Sequence, residues 1–161
     1  SYLFKLREVP YLKIFLIAFV WSALTVFLPA IQAGEEILNV QVDLLIAERF
    51  FFIFAITIPF DIRDMQVDRD AGLKTIPLLV NQKKALTFSY LSLLISLVIS
   101  VFRYEMQNNL FIIGALCISF LTTYLFLKLK TFRNLNKYYY QILDVTLLLQ
   151  ALLVLGFYFF R

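Results

Sequence analysis

The residues best suited to chemistry lie in one short stretch, Asp61 to Pro77, of a chain that elsewhere is mostly apolar. On a helix, the spacings of three and four residues place Asp61, Asp64 and Asp68 within a stripe about 60° wide. Three like charges on one face repel each other, so the stripe is stable mainly when a multivalent cation neutralises it. Oxygen ligands without His or Cys suit a hard ion such as Mg²⁺. The stretch therefore predicts half of a metal-diphosphate site.

Cations and helix-breaking residues surround these aspartates. Arg69 and Lys74 beside a carboxylate–metal cluster make sense if a highly charged anion, such as a diphosphate, bridges the two groups. Pro59 has no amide hydrogen, so it should free the carbonyl of Ala55 and loosen the helix before the first aspartate. Gly72 predicts the end of the helix. The plain alternative is a solvated charged loop.

The composition is that of a membrane protein. Hydrophobic residues make up 61% of the 161 residues and the mean hydropathy is +0.82, whereas soluble domains are about 45–50% apolar. The chain has no histidine, and with Cys117 as its one cysteine it cannot form an intrachain disulfide. The net charge of +4 is spread between long apolar runs, so nucleic acid is not an expected partner.

Five apolar runs are long enough to cross a bilayer as helices, which takes roughly 17–25 residues. Backbone groups in lipid must be satisfied internally, and runs of this length exclude the short strands of a barrel. We therefore expect an all-α, polytopic membrane helical bundle in which residues 1–161 form a single membrane domain. The five predicted spans are Tyr11–Ile31, Leu44–Phe60, Ala85–Phe102, Leu110–Leu127 and Ile142–Phe160.

The basic residues predict the orientation of this bundle. With five spans, twelve of the fifteen Lys and Arg residues fall on the side of the Asp-rich stretch, which the positive-inside rule makes cytoplasmic. We expect a multi-pass protein of the inner (cytoplasmic) membrane. Near the opposite end of the second span, Glu48 and Arg49 are expected to snorkel to the interface, with a role at the end of a substrate channel as the alternative. The twelve are Lys5, Arg7, Lys13, Arg63, Arg69, Lys74, Lys83, Lys84, Lys128, Lys130, Arg133 and Lys137.

The order Asp-x-x-Asp-x-x-x-Asp-Arg-x-x-Gly-x-Lys-Thr-x-Pro resembles the second Asp-rich motif of the UbiA superfamily of intramembrane prenyltransferases. In that family nine membrane helices surround a cavity, and two Asp-rich motifs hold Mg²⁺ and an isoprenyl diphosphate. The five spans resemble the last five of the nine. The first motif and the first four helices are not in these residues, so we expect the C-terminal part of a longer prenyltransferase domain that needs those N-terminal helices. The matching residues are Asp61, Asp64, Asp68, Arg69, Gly72, Lys74, Thr75 and Pro77.

The resemblance implies roles for individual residues. Asp64 and Asp68 would be Mg²⁺ ligands, with Asp61 as a third ligand that also lies at the diphosphate. Arg69 and Lys74 would contact the diphosphate, and catalytic roles would fall to Asp64, Asp68 and Lys74. The implied reaction is Mg²⁺-dependent transfer of an isoprenyl group to an aromatic or other lipophilic acceptor within the membrane.

Two other functions stay open. One is a non-catalytic membrane scaffold or lipid-binding bundle that keeps only the second motif. The other is a CDP-alcohol phosphotransferase, which also uses clustered aspartates on membrane helices. Those enzymes require Asp-Gly-x-x-Ala-Arg, whereas Met65-Gln66-Val67-Asp68 follows Asp64 here, so this function is disfavoured.

Overall fold

The predicted all-α fold is confirmed by a computed structural model, which describes residues 12–32, 34, 39–105, 110–128 and 137–159. These residues form six helices and no strand. Each of the five predicted spans falls on one long helix, and a short helix, α3, was not predicted. The helices are α1 (Leu12–Gln32), α2 (Val40–Asp70), α3 (Ile76–Val80), α4 (Gln82–Glu105), α5 (Leu110–Lys128) and α6 (Lys137–Phe159).

The predicted orientation depends partly on residues that the structure does not describe. Lys5, Arg7, Lys130 and Arg133 lie outside the described residues. So do Tyr11 at the start of the first predicted span and Phe160 at the end of the fifth. Among the described residues, α1 and α4 are long and apolar enough to cross a membrane. Shorter apolar stretches occupy Ile112–Lys128 in α5 and Leu143–Leu153 in α6.

Helix α2 extends well beyond the predicted span of residues 44–60 at both ends. Its 31 residues correspond to about 46 Å, whereas the hydrocarbon core of a bilayer is about 30 Å thick. The charged segment after Phe60 continues the same helix because it contains no glycine or proline before Gly72. One rigid element therefore joins the apolar interior to the Asp-rich stretch.

Helix α2 lies at the centre of the described bundle, between α1 and α4, while α5 joins α4 to α6. Two apolar clusters hold the bundle together. One is built around Phe52 of α2, which packs edge-on against Phe120 of α5 with ring centroids 5.3 Å apart. The other joins Ile14 of α1 to Ile58 of α2. The outer face of α1 leaves Trp21 57% exposed, as expected of a surface that lies against lipid.

A row of buried serines on α4 packs against α2. Ser89, Ser92, Ser96 and Ser100 recur every three or four residues and therefore share one helix face. Ser89 Oγ donates a hydrogen bond to the carbonyl of Ala55 at 2.5 Å, the carbonyl that Pro59 was predicted to free. Small side chains let membrane helices approach closely. Helix α4 thus supplies the donor that α2 lacks.

The prediction that Glu48 snorkels to the interface is wrong. Glu48 is only 1% exposed, and its carboxylate lies between α4 and α6. Gln150 Nε2 donates to Glu48 Oε1 at 3.4 Å, and Arg103 Nε lies 3.8 Å from Oε2. Arg49 Nη1 donates to Gln150 Oε1 at 2.8 Å, and the Arg103 guanidinium lies over the Tyr104 ring. These five residues form a polar cluster between α2, α4 and α6.

The face of α2 on which Glu48 lies explains its burial. Glu48, Phe52 and Ala55 are spaced by four and three residues and are all buried, so the carboxylate points to α4 with the rest of the core. Ser96 Oγ also donates to the backbone carbonyl of Glu48 at 2.7 Å. Moving the Glu48 side chain to the interface would require α2 to rotate, and that rotation would break this hydrogen bond between α2 and α4.

Candidate functional site

The Asp-rich stretch is helical up to Asp70, as the spacing predicted. Helix α2 ends where the amide of Ala71 bonds to the carbonyl of Val67, and the amide of Gly72 bonds to that of Arg69, both at 3.0 Å. Gly72 has φ +71°, a left-handed conformation that glycine adopts without steric strain. The predicted helix end at Gly72 is confirmed. Asp61, Asp64 and Asp68 therefore lie on one stripe of α2, which we call the Asp-rich face.

Asp61 is buried at 2% exposure and is paired with Lys13 of α1. The Lys13 Nζ donates to Asp61 Oδ1 at 3.1 Å, while Oδ2 receives no hydrogen bond from the described part of the chain. Burial raises the pKa of the Asp61 carboxyl, and the Lys13 ammonium opposes that rise. The buried Oδ2 atom of Asp61 therefore has lone pairs that no described residue uses.

Asp64 is bound by its neighbour Arg63. Arg63 Nε donates to Asp64 Oδ1 at 2.6 Å and Nη2 donates to Oδ2 at 2.9 Å, a two-point contact that guanidinium and carboxylate geometry favours. The hydrogen bond from Arg63 lowers the pKa of Asp64. The carboxylate is therefore ionised at neutral pH.

Asp68 is buried at 7% exposure, and none of the described residues donates to its Oδ2. It lies seven residues after Asp61, which is about 10 Å along the helix axis on nearly the same face. Within the described ranges no three His, Cys, Asp or Glu side chains are close enough together to hold a metal ion. The predicted ligands share a face but are not gathered around one point.

The donor chemistry of the Asp-rich face nevertheless fits a hard cation. Asp61 and Asp68 each bury a carboxylate oxygen to which no described residue donates, and such oxygens are the ligands that Mg²⁺ accepts. Asp64 lies between them, three residues from one and four from the other, at spacings that make helix neighbours. Each adjacent pair of aspartates is thus a possible pair of ligands for one ion.

The two predicted diphosphate contacts occupy different places. Arg69 and Lys74 are both exposed, but only Arg69 lines a groove of about 690 Å³ between the end of α2, α3 and the start of α4. Lys83 and Lys84 also line this groove, which gives it three cations. From the sequence, these two lysines contribute only to the predicted orientation, because the turn that brings them back to Arg69 includes the unpredicted helix α3.

Thr75 and Pro77 of the motif shape the entry to α3. Thr75 occupies the position before the helix, and Pro77 lies in its first turn, where a missing amide hydrogen is tolerated. Thr75 is buried, and its Oγ1 has no hydrogen-bond partner among the residues the structure describes. The motif thus ends in a compact, buried turn.

A second, apolar groove of about 550 Å³ lies between α4 and α5. Its lining includes Tyr90 and Tyr124, whose rings are 5.6 Å apart, together with leucines of both helices. The groove adjoins the apolar outer surface of the bundle and has the character of a binding surface for hydrocarbon.

Comparison with known proteins identifies the family. No curated protein and no solved structure gives a significant match. The model of the UbiA prenyltransferase family matches residues 1–159, which is nearly the whole chain and includes the Asp-rich face. The chain therefore belongs to the UbiA prenyltransferase family, whose members are membrane prenyltransferases.

Proposed function

We propose that this chain supplies the second Asp-rich half of an Mg²⁺-dependent site that transfers an isoprenyl group from an isoprenyl diphosphate to an aromatic or other lipophilic acceptor. One observation carries the proposal. Asp61 and Asp68 each bury a carboxylate oxygen that no described residue contacts by a hydrogen bond, on the helix face that continues out of an apolar span. Such oxygens are costly to bury unless a cation or donor completes them.

In this proposal Asp64 and Asp68 hold the metal, with Asp61 as a third ligand. Transfer begins when the allylic C–O bond of the donor ionises, and the leaving diphosphate then carries the developing negative charge. A bound Mg²⁺ would supply electrostatic stabilisation of that charge. Arg69 and Lys74, which are both exposed, would donate to the outer oxygens of the diphosphate.

The contact between Arg63 and Asp64 does not prevent Asp64 from serving as a ligand. The two side chains are 46% and 33% exposed, and solvent-exposed ion pairs contribute only about 0–1 kcal/mol. Exchange of the guanidinium for a divalent cation therefore requires little free energy. Arg63 holds the carboxylate ionised until the cation arrives.

The surroundings of the site complete the proposal. The Asp-rich face lies on the cytoplasmic side of the inner membrane, a position supported by the distribution of basic residues. The apolar groove between α4 and α5 supports a lipophilic substrate, since it exposes hydrocarbon next to lipid. Residues 1–161 work as a single domain, the C-terminal part of a longer prenyltransferase domain whose preceding helices bring the other Asp-rich motif.

The test compares Asp68→Asn with Asp70→Asn in the full-length protein, assayed in membrane vesicles for transfer of a radiolabelled isoprenyl group. Asp70 is exposed and lies about 180° from Asp61 around α2, so it controls for the same loss of charge. We expect Asp68→Asn and Asp64→Asn to reduce transfer about 100-fold and Asp70→Asn to leave it unchanged. Full transfer in the Asp64 and Asp68 variants would contradict the proposal. A folded wild type without any turnover would favour the non-catalytic bundle.

A further inference from the structure

Lys13 lies far from the Asp-rich stretch in sequence but contacts it in space. It is the second residue of α1 and its Nζ lies 3.1 Å from Asp61 Oδ1, across a separation of 48 residues. From the sequence, Lys13 contributes only to the predicted orientation of the bundle. The fold instead places its ammonium on the first carboxylate of the Asp-rich face.

The two partners differ in how readily they can leave the contact. The side chain of Asp61 is 3% exposed, whereas that of Lys13 is 52% exposed. A buried carboxylate needs a counter-charge, but a lysine with a long apolar stem can carry its ammonium into water at little cost. The carboxylate is therefore fixed, and the cation bound to it is replaceable.

The same ammonium acts on more than one carboxylate. The hydrogen bond from Arg63 is the main cause of the lowered pKa of Asp64, and the charge of Lys13 lowers it further. Asp64 lies three residues after Asp61 on the same helix face, so the ammonium in contact with Asp61 Oδ1 lies at one of the two ligand pairs identified above. Two cations in contact with one carboxylate repel each other strongly, so a metal ion at this pair and the ammonium at Oδ1 compete.

We propose that Lys13 is an internal counter-ion of the Asp-rich face. Its ammonium neutralises Asp61 while no divalent cation is bound. Once a divalent cation replaces the ammonium at Asp61, the ammonium contacts the donor diphosphate instead. This inference rests on the proposed function, because it requires metal binding at the Asp-rich face. It assigns a positioning role to a residue outside the motif. It also explains how a buried aspartate is tolerated before metal and substrate bind.

The test measures Mn²⁺ binding to the purified full-length protein in detergent by electron paramagnetic resonance, without donor. Lys13→Met removes the ammonium and keeps the apolar stem. Lys128→Met is the control, because it removes the same net charge. Lys128 is exposed at the end of α5, and its ammonium lies over the Tyr124 ring. We expect Lys13→Met to bind Mn²⁺ about tenfold more tightly than the wild type, and Lys128→Met to bind it as the wild type does.

A second measurement tests whether the Lys13 ammonium contacts the diphosphate. With Mn²⁺ saturating, binding of inorganic pyrophosphate should weaken about threefold or more in Lys13→Met, since one charge-assisted contact is lost. Lys13→Arg keeps the charge and should resemble the wild type in both measurements. Lys13→Gln replaces Lys13→Met if thermal unfolding shows that the methionine variant does not fold.

The outcomes separate the inference from the proposed function. An unchanged or weaker Mn²⁺ affinity in Lys13→Met, with a clear loss in Asp64→Asn, would overturn the counter-ion role and leave the metal site standing. Equal Mn²⁺ binding by Asp64→Asn, which removes the carboxylate shared by both ligand pairs, and the wild type would overturn the metal site itself, and the counter-ion role with it.

Discussion

At the scale of single residues, three aspartates on one helix face have three different environments. Asp61 is buried against a lysine, Asp64 is bound by an arginine, and Asp68 is buried with one oxygen that no described residue donates to. The shared face was predictable because helical spacing is a local property. The partner of Asp61 was not, because Lys13 reaches it only through the packing of α1 on α2. The contact between Arg63 and Asp64 was not predicted because adjacent residues do not face each other on a helix.

Gly72 carries a prediction at this scale. It has φ +71° with nothing within 4 Å of an added Cβ, so Gly72→Ala imposes only backbone strain. We expect a loss of about 1 kcal/mol in the free energy of unfolding, measured by thermal unfolding in detergent. Gly114→Ala is the control, since Gly114 is inside α5 with equal space and no positive φ. Equal shifts of the unfolding temperature in the two variants would show that the helix end at Gly72 is not constrained.

At the scale of elements, α2 and α4 are fitted to each other by hydrogen bonds that hydropathy cannot predict. The sequence showed that Pro59 leaves a carbonyl without its helical donor. Only the structure shows that Ser89 supplies the replacement at 2.5 Å. The unpaired carbonyl of Ala55 can be predicted from the position of Pro59 alone. The hydrogen bond from Ser89 depends on how α4 packs against α2.

We predict that Ser89→Ala lowers the free energy of unfolding by about 1 kcal/mol, because the carbonyl of Ala55 is left unpaired in the bundle. In a Pro59→Ala background the restored amide satisfies that carbonyl within α2, so the same serine change should have almost no effect. The double-mutant cycle is measured by thermal unfolding. Additive effects of the two changes would contradict the pairing.

The polar cluster at the other end of α2 gives a second prediction for this pair of helices. Glu48→Gln leaves Arg103, which is 7% exposed, buried without its counter-charge, and we expect a loss of about 3 kcal/mol. Arg103→Met alone should be similarly harmful, while the double variant should lose less than the sum of the two. Glu105→Gln, an exposed neighbour on α4, should change little. Strictly additive losses would mean that the two side chains do not act as a pair.

Across the molecule, hydropathy located each long helix of the described residues but not the faces by which these helices pack. The positions of the spans depend on runs of apolar residues, which are visible in the chain. The burial of Glu48 depends on Arg103 and Gln150, which are 55 and 102 residues away, and no local pattern links them. The same limit explains why the groove that includes Arg69, Lys83 and Lys84 was not foreseen. The buried charges Glu48, Asp61 and Arg103 are positioned by tertiary contacts rather than by proximity to the interface.

The assignment of the Asp-rich face as the metal site is tested most directly by the Mg²⁺ dependence of isoprenyl transfer by the full-length protein in vesicles. Chelation with EDTA should abolish transfer in the wild type, and added Mg²⁺ should restore it. We expect Asp68→Asn to need at least about tenfold more Mg²⁺ for half-maximal transfer or to be inactive, while Asp70→Asn on the opposite face titrates like the wild type. Identical Mg²⁺ titrations for Asp68→Asn and the wild type would contradict the assignment of the Asp-rich face as the metal site.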